Sequence, residues 1–569
     1  MLGLGVLIVV AGAWIAVTGL MARHQLTAVQ SELTQLQADI SPGNVADAKL
    51  VAADLSAHAH RAHTLTTGPA WWLGAKIPSA GDPLRAARGV SAAADSLGSV
   101  TVPRLVDVSA ALDPNQFRLK NHQLDITPLI KATPQLNAAV ANAHLQLKAI
   151  SALPHRTWLA PMDTGVAQVS AKLNRLVGSL DTVDQVARAA PAMLGYTTPQ
   201  RYFLAFQNED ETRGTGGLPG AFAIVVADHG KLTFTHIGSD SEMQGIDSGL
   251  DLGTEYNQNW ANFQPTKQYL NSNVDPDFRY AAQIWAAMWQ KKTGQHVNGA
   301  VAVDPTALSY FLGATGSASL PDGTEITAGN IVRLTQNTVY TKFTDQAKRK
   351  AYLLVIAGTA EKHILGGSTN AKGLFRAAAK AAGQRRLLLW TEQKPIEAFL
   401  RTTTVGGAVP DTVAPYAQAG VVNYGANKDD YYLDTAVQWR STGCGASRAV
   451  TVTITLRDNT PAGLSSYLAY RPTKPGDPVG VPNNQILLYY VGTHGGGLER
   501  ITVNGRVGAV QGGTAGNHPT YATLVALPRG QTQTVVLTLS EPGSSAAPVV
   551  VLQPHIRPMT FTARSASCG

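Results

Sequence analysis

Met1 to Ala22 (MLGLGVLIVVAGAWIAVTGLMA) runs without a charged side chain. At about 1.5 Å per residue a helix of that length reaches across the roughly 30 Å hydrocarbon layer of a bilayer. The pattern predicts an N-terminal transmembrane helix over 1–22. No Lys or Arg precedes the apolar run and no clear small-x-small site follows it, which argues for an anchor over a cleaved signal peptide. Leu26, Val29, Leu33, Leu36 and Ile40 then recur at spacings of three and four, a coiled-coil seam that predicts a stalk. Ser41-Pro42-Gly43 breaks it, and Asn44 with Asp47 three residues on can cap an Ala- and Leu-rich helix reaching about Leu65. Helical patterns recur to Met193, interrupted by turns at Gly81-Asp82-Pro83 and Leu153-Pro154, so that 23–195 reads as a helical stalk and bundle.

The period changes at Tyr202. The strand-like YFLAFQ leads into a glycine-rich turn and a second strand, AFAIVVAD, which ends in the hairpin Asp228-His229-Gly230-Lys231. HVNGAVAVD reads as a buried strand, and Asp304-Pro305 supplies an N-cap and first-turn proline for the helix after it. A further buried strand, RRLLLW, follows a helix ending at Gly383. Alternating strands and helices make 196–405 an α/β domain. From about Gly420 helical patterns vanish, and AVTVTITL, QILLYYVG, ERITVNG, YATLVALP, QTVVLTLS and PVVVLQP alternate with Gly/Pro/Asn turns, predicting a β-sandwich over 420–569. The expected fold class is multidomain: transmembrane helix, helical stalk and bundle, α/β domain, C-terminal β-sandwich.

Composition narrows the function. With 44% hydrophobic residues the chain has material for a real core. Lys and Arg outnumber Asp and Glu by 46 to 38, but without a basic run, which argues against a nucleic-acid binder. The excess suits an anionic phospholipid or glycan partner, and solubility explains it as well. Cys444 and Cys568 bracket the predicted sandwich strands, which suits a structural disulfide in an oxidising compartment, with two unrelated thiols as the alternative. The pair places the body outside the cytoplasm, whereas Arg23 after the apolar run points the other way under the positive-inside rule.

Familiar catalytic signatures are absent: no phosphate loop, zinc helix, nucleophile elbow or dinucleotide fingerprint. His494-Gly495-Gly496-Gly497 resembles a lipase oxyanion loop without a serine elbow to serve, and reads as a hairpin turn. His58, His60 and His63 lack metal-ligand spacing and read as exposed helix histidines. Trp71-Trp72 either rests at lipid headgroups or pins its loop onto the bundle. The stretch with chemical promise is QNEDETRGTGGLPGAF, Gln207 to Phe222. Its glycines, Gly216 and Gly217 among them, permit close backbone approach to a ligand, and Arg213 offers a donor fork for phosphate or carboxylate. The plainer reading is a glycine-rich connection with Arg213 paired to Glu209 or Glu211.

YFLAFQNEDETRGTGGLPGAFAIVVADHGKL, VNGAVAVDPTALSYFLGATG, LPDGTEITAGNIV, KDDYYLD at Lys428 to Asp434, and GPAWWLGAKIP at Gly68 together resemble the uncharacterised bacterial domain-of-unknown-function family 4012. That resemblance implies a single-pass surface protein, often actinobacterial, with no established activity. The α/β domain is also similar to the LytR-CpsA-Psr family, which moves glycopolymers from polyprenyl pyrophosphate onto peptidoglycan. The order of parts agrees: Arg213 in the first polar turn, Ile237-Gly238-Ser239-Asp240-Ser241 as the second, and a basic helix start at Asp345-Gln346-Ala347-Lys348-Arg349. Ser239 stands where that family carries an arginine, and Thr215 or Gly216 where it carries an aspartate, which weakens any magnesium and diphosphate site. Two functions follow as expectations. One is an envelope scaffold or binding protein, anchored in the bilayer through 1–22, without a cofactor, that takes a polyprenyl phosphate or anionic glycan on Arg213, Gly216, Gly217, Lys348 and Arg349. The other is a glycopolymer transferase with Asp240 as base or metal ligand and magnesium as its metal.

Overall fold

The computed structural model describes residues 2–40, 45–111, 118–120, 122–366, 370–443, 445–469 and 483–565. The break at Ser41-Pro42-Gly43, the Asn44 cap and both cysteines of the expected disulfide, Cys444 and Cys568, lie outside the described residues. The chain forms two compact units, one of Met1–Arg118 with Leu124–Met193, the other of Leu119–Gln123 with Leu194–Gly569.

The first unit is helical: α1 (Leu2–Ile40), α2 (Val45–Leu65), α3 (Pro69–Ala75), α4 (Asp82–Ser96), α5 (Val102–Ala111), α6 (Thr127–Ser151) and α7 (Ala160–Met193). The seam residues Val29, Leu33 and Leu36 pack against Val51, Leu55 and Ala59 of α2 and Val102 and Val106 of α5. The expected stalk is therefore a bundle helix whose apolar stripe finds its partner inside the same unit.

The predicted transmembrane helix is corrected. Among the described residues no helix is long and apolar enough to cross a membrane. The apolar run ends at Ala22, before Arg23 and His24. Part of its surface is also committed to the bundle: Ala22 is buried, and the buried Thr18 hydroxyl accepts the Trp71 indole N–H at 2.8 Å.

Among the described residues the second unit joins three large sheets and a two-stranded one. Its α/β part holds β1 (Arg118–Lys120), β2 (Gln123–Asp125), β3 (Gln200–Arg213), β4 (Gly216–Asp228), β5 (Lys231–Ser239), α8 (Thr254–Trp260), α9 (Phe278–Thr293), β6 (Gly299–Val303), α10 (Pro305–Thr315), a two-residue pair β7 (Ala318–Ser319) and β8 (Glu325–Ile326), α11 (Ile331–Arg333), α12 (Val339–Lys342), α13 (Gln346–Leu365), α14 (Ala371–Gly383) and β9 (Leu387–Thr391). The seven-stranded sheet runs β1-β2-β5-β4-β3-β6-β9, with β3 and β6 parallel and β9 antiparallel to β6. As the sequence suggests, Asp304 caps α10 by accepting the Ala307 N–H at 2.6 Å, and Asp228 to Lys231 turns β4 into β5. The main departure is β3. The polar run after YFLAFQ is no turn: the strand continues through Gln207-Asn208-Glu209-Asp210-Glu211-Thr212 to Arg213, with the register shifting between Asn208 and Thr212.

The C-terminal part is a sandwich made of β10 (Tyr416–Asn423), β11 (Leu433–Thr442), β12 (Ser447–Asp458), β13 (Asn483–Val491), β14 (Gly497–Val503), β15 (Arg506–Val507), β16 (Gln511–Ala515), β17 (His518–Pro528), β18 (Thr532–Pro542), β19 (Val549–Leu552) and β20 (Thr560–Arg564). The sheet β16-β17-β13-β10-β19 faces the sheet β15-β14-β18-β12-β11-β20. Between them lie Val421, Leu488, Tyr490, Trp439, Ile454 and Leu537. The five-stranded sheet is buried on both faces: Tyr416, Val422, Tyr489 and Val491 turn the other way and join Phe203, Phe222, Phe278 and Trp285 of the α/β part in one core. This explains the unbroken apolar run Ile486 to Val491, since a strand covered on both faces loses its polar alternation. The α/β and sandwich parts thus share a core within one unit.

Candidate functional site

The extended β3 carries a row of buried charges into this shared core, and each is matched by a residue from a distant segment. Arg386, just ahead of β9, pairs with Glu209 and with Asp304 at 2.9 Å, and its other nitrogen donates to the His555 carbonyl at 2.6 Å. Lys428 reaches Asp210 at 3.1 Å and Glu211 at 2.7 Å, with its ammonium 4.3 Å from the Tyr340 ring centre. Asp430 accepts from the Thr212 N–H and hydroxyl at 2.9 and 2.7 Å, and from Asn423 and Asn484 at 3.0 and 2.7 Å. Burial pushes the Asp210 carboxyl up to about 7 although Lys428 pulls it down, and pushes Asp304 up to about 8 with Glu209 adding to the effect. Isolated in such a setting a charge is costly, so the pairs are what let β3 continue through the core.

Arg213, expected to bind an anion, is buried among acceptors of its own chain. Its Nε donates to the Leu270 carbonyl at 3.1 Å, Nη1 to Thr212 and Asn423 carbonyls at 2.9 and 3.2 Å, and Nη2 to Asn271 Oδ1 at 3.3 Å. The pairing with Glu209 or Glu211 is likewise not the one formed: Glu209 takes Arg386 and Glu211 takes Lys428. Gly216, at φ +139°, and Gly217 serve close packing. A Cβ on Gly216 would meet Gln207 Oε1 at 2.8 Å, and one on Gly217 would run into the Asn208 carbonyl. The Gly217 N–H is itself taken by Gln207 Oε1 at 3.4 Å.

The basic helix start divides its cations. Asp345 caps α13 by accepting the Lys348 N–H at 2.8 Å, and the Lys348 side chain stays exposed. Arg349 is buried, donating to the Phe343 carbonyl at 3.0 Å with its guanidinium 4.1 Å from the Tyr467 ring centre. Arg213 and Arg349 therefore have separate partners. The cation that meets the second polar turn is the next residue, Lys350, 2.8 Å from Asp240 and 2.6 Å from Ser241 Oγ. Ser239 and Glu242 form a capping box that holds this turn, and Glu242 also takes His236 Nε2 at 2.9 Å. Asp240 and the α13 start are brought together; Lys350 is the residue the sequence reading missed, although Lys348 and Arg349 pointed to its neighbourhood. Among the described residues no group of three or more His, Cys, Asp or Glu side chains is arranged to hold a metal ion.

Beside this ion pair the two faces of the seven-stranded sheet differ. On one, Phe203, Ala205, Phe222, Ile224, Ala300 and Leu388 are buried under α9 and the five-stranded sheet. On the other, Tyr202, Ala223, Val225 and Val303 are buried, while Leu204, Phe206, Ile237, Val301, Leu387 and Leu389 are half-buried, Leu204, Phe206 and Leu387 packing against Val303, Ala307 and Ala381. The helices covering it, α10 and α13, present residues of the same kind: Leu308, Phe311, Leu353 and Leu354 are half-buried too. Ile237 comes within 3.9 Å of where a side chain on Gly358 of α13 would begin, and β5, which carries it, ends at Ser239, just before Asp240.

No curated protein matches the chain. The GPAWWLGAKIP and KDDYYLD segments fall outside the stretch that a family model matches, while Arg213, Asp240 and Asp304 fall inside it. Residues 197–340 match the model of the family described as Protein of unknown function (DUF4012).

Proposed function

We propose that this protein is a non-catalytic binding protein of the bacterial envelope for an amphiphilic, phosphate-bearing lipid of the polyprenyl phosphate class. The observation behind the reading is the asymmetry of the seven-stranded sheet. One face is closed by aromatics, whereas the other keeps half-buried apolar side chains under α10 and α13, next to a lysine–aspartate pair at the first turns of α13. An apolar chain laid along Leu204, Phe206, Phe311 and Leu354 would bring its phosphate toward Lys350, with the exposed Lys348 nearby on α13. The binding reading is preferred to the glycopolymer transferase because the groups that transfer would need are otherwise engaged. Arg213 is held by carbonyls, and Arg349 by a carbonyl and a tyrosine ring. The test is equilibrium binding of a polyprenyl monophosphate, the neutral polyprenol and inorganic phosphate to the full chain. The monophosphate should bind best, and Lys350→Ala should weaken it by at least about tenfold, the worth of one charge-assisted contact. Equal affinity for the neutral alcohol, or an unchanged Lys350→Ala, would sink the proposal. Glycan transfer onto peptidoglycan by the purified protein would instead establish the transferase.

A further inference from the structure

The helical unit carries an exposed apolar surface built from three separate segments around the short helix α3. Of the adjacent tryptophans, Trp71 turns inward onto Thr18 and is 3% exposed, while Trp72 stands out at 47%. Trp14 of α1 is 59% exposed, and its indole nitrogen lies 4.0 Å from where a side chain on Gly68, the residue before α3, would begin. Trp158, 69% exposed, is fixed to the α3–α4 connection by an indole N–H donated to the Ala80 carbonyl at 3.0 Å. Leu73 and Ile77 lie on the same short segment, 60% and 53% exposed.

We infer that this surface docks on the headgroup layer of an anionic lipid bilayer, lying at the interface without crossing it. The side-chain chemistry selects that partner over a protein. Indoles favour the boundary where one edge is apolar and the other wet. The Lys76 ammonium lies 3.5 Å from the Trp72 ring centre, a cation–π pair that sets a positive charge beside the exposed indole. From Val9 to Ser31 and from Thr66 to Gly81 the chain has no acidic residue, while Arg23 and Lys76 add positive charge. Asp82, the first acid beyond, is ion-paired with Arg85. Apolar bulk, aromatic rim and unopposed cations together match interfacial lipid binding.

The test uses the full chain with vesicles of phosphatidylglycerol and phosphatidylcholine in equal parts, and with phosphatidylcholine alone. Co-sedimentation should favour the anionic vesicles. The double variant Leu73→Glu/Ile77→Glu, on exposed positions, should weaken partitioning by at least about tenfold, whereas Leu524→Glu on the sandwich should not change it. Unchanged partitioning of the double variant would assign any lipid binding to another part of the chain and overturn the inference. Quenching of tryptophan emission by brominated lipid supplies a readout without added charge: Trp72→Phe should lose part of the quenched emission, and an undiminished quench would contradict docking through α3. A lipid-free dimer that Leu73→Glu/Ile77→Glu converts to monomer would give the surface to a second copy of the chain and likewise overturn it.

Discussion

Lys428→Met is the sharpest perturbation of the buried charge row. The lysine is the cation for both Asp210 and Glu211, and all three are removed from water. Taking away one partner leaves two carboxyl groups in the core without it, and breaking such a pair costs about 3 to 5 kcal/mol. The loss should depend on pH. The folded Asp210 carboxyl titrates at about 7, above its ordinary 3.8. The stability it contributes is therefore complete below the lower value and falls as pH rises through the upper one. Lys428 is what holds that upper value down, so in the variant it moves higher and the decline continues where the parent has levelled off. The variant's deficit should widen above about pH 7, and adding Asp210→Asn should recover part of it. Urea unfolding of parent, single and double variants at several pH values reads both effects. A deficit under about 1 kcal/mol, or one that is constant with pH, would refute the reasoning.

Three further outcomes follow from the same structure. Gly217→Ala should destabilise the second unit by about 2 kcal/mol or more, because the new methyl runs into the Asn208 carbonyl, and a calorimetric scan of its unfolding transition checks this. Thr18→Val should cost the helical unit about 1 to 3 kcal/mol by stranding the buried Trp71 N–H, measured by chemical denaturation. His555 is held neutral, its pKa pushed down to about 3 chiefly by burial and also by Arg386. Its contribution to stability is present above the ordinary 6.5 and is lost as pH falls toward 3, so His555→Gln should flatten the acid-side decline in melting temperature.

Local patterns carried the architecture well. The Asp228 to Lys231 hairpin, the Asp304 cap and the strand after Gly383 were legible because each is set by neighbours in sequence. β3 was not. A run of Asn, Glu, Asp and Arg reads as a solvated turn until Arg386, Lys428 and Asp430 are known to meet it, and they lie more than a hundred residues downstream. The same distance effect misplaced Arg213, whose acceptors at Leu270 and Asn423 carry no sequence signal. The apolar seam of α1 was legible as a seam, but that its partner is α2 of the same chain was not. Asp240 and the basic start of α13 were both marked by the LytR-CpsA-Psr resemblance. The side chain joining them, Lys350, is selected by the phase of the helix, which no motif specified. Trp71 and Trp72 posed packing against exposure, and the helical turn gave one residue to each.

The central claim is that the half-buried face under α10 and α13 receives an amphiphilic phosphate. A polyprenyl monophosphate bearing a photoreactive group near the phosphate, irradiated with the full chain and mapped by peptide mass spectrometry, tests it most directly. Adducts should concentrate between Ile237 and Ser241 and on the first turns of α13 around Lys350, and excess unlabelled monophosphate should compete them away. Adducts confined to the sandwich or scattered without competition would contradict the account.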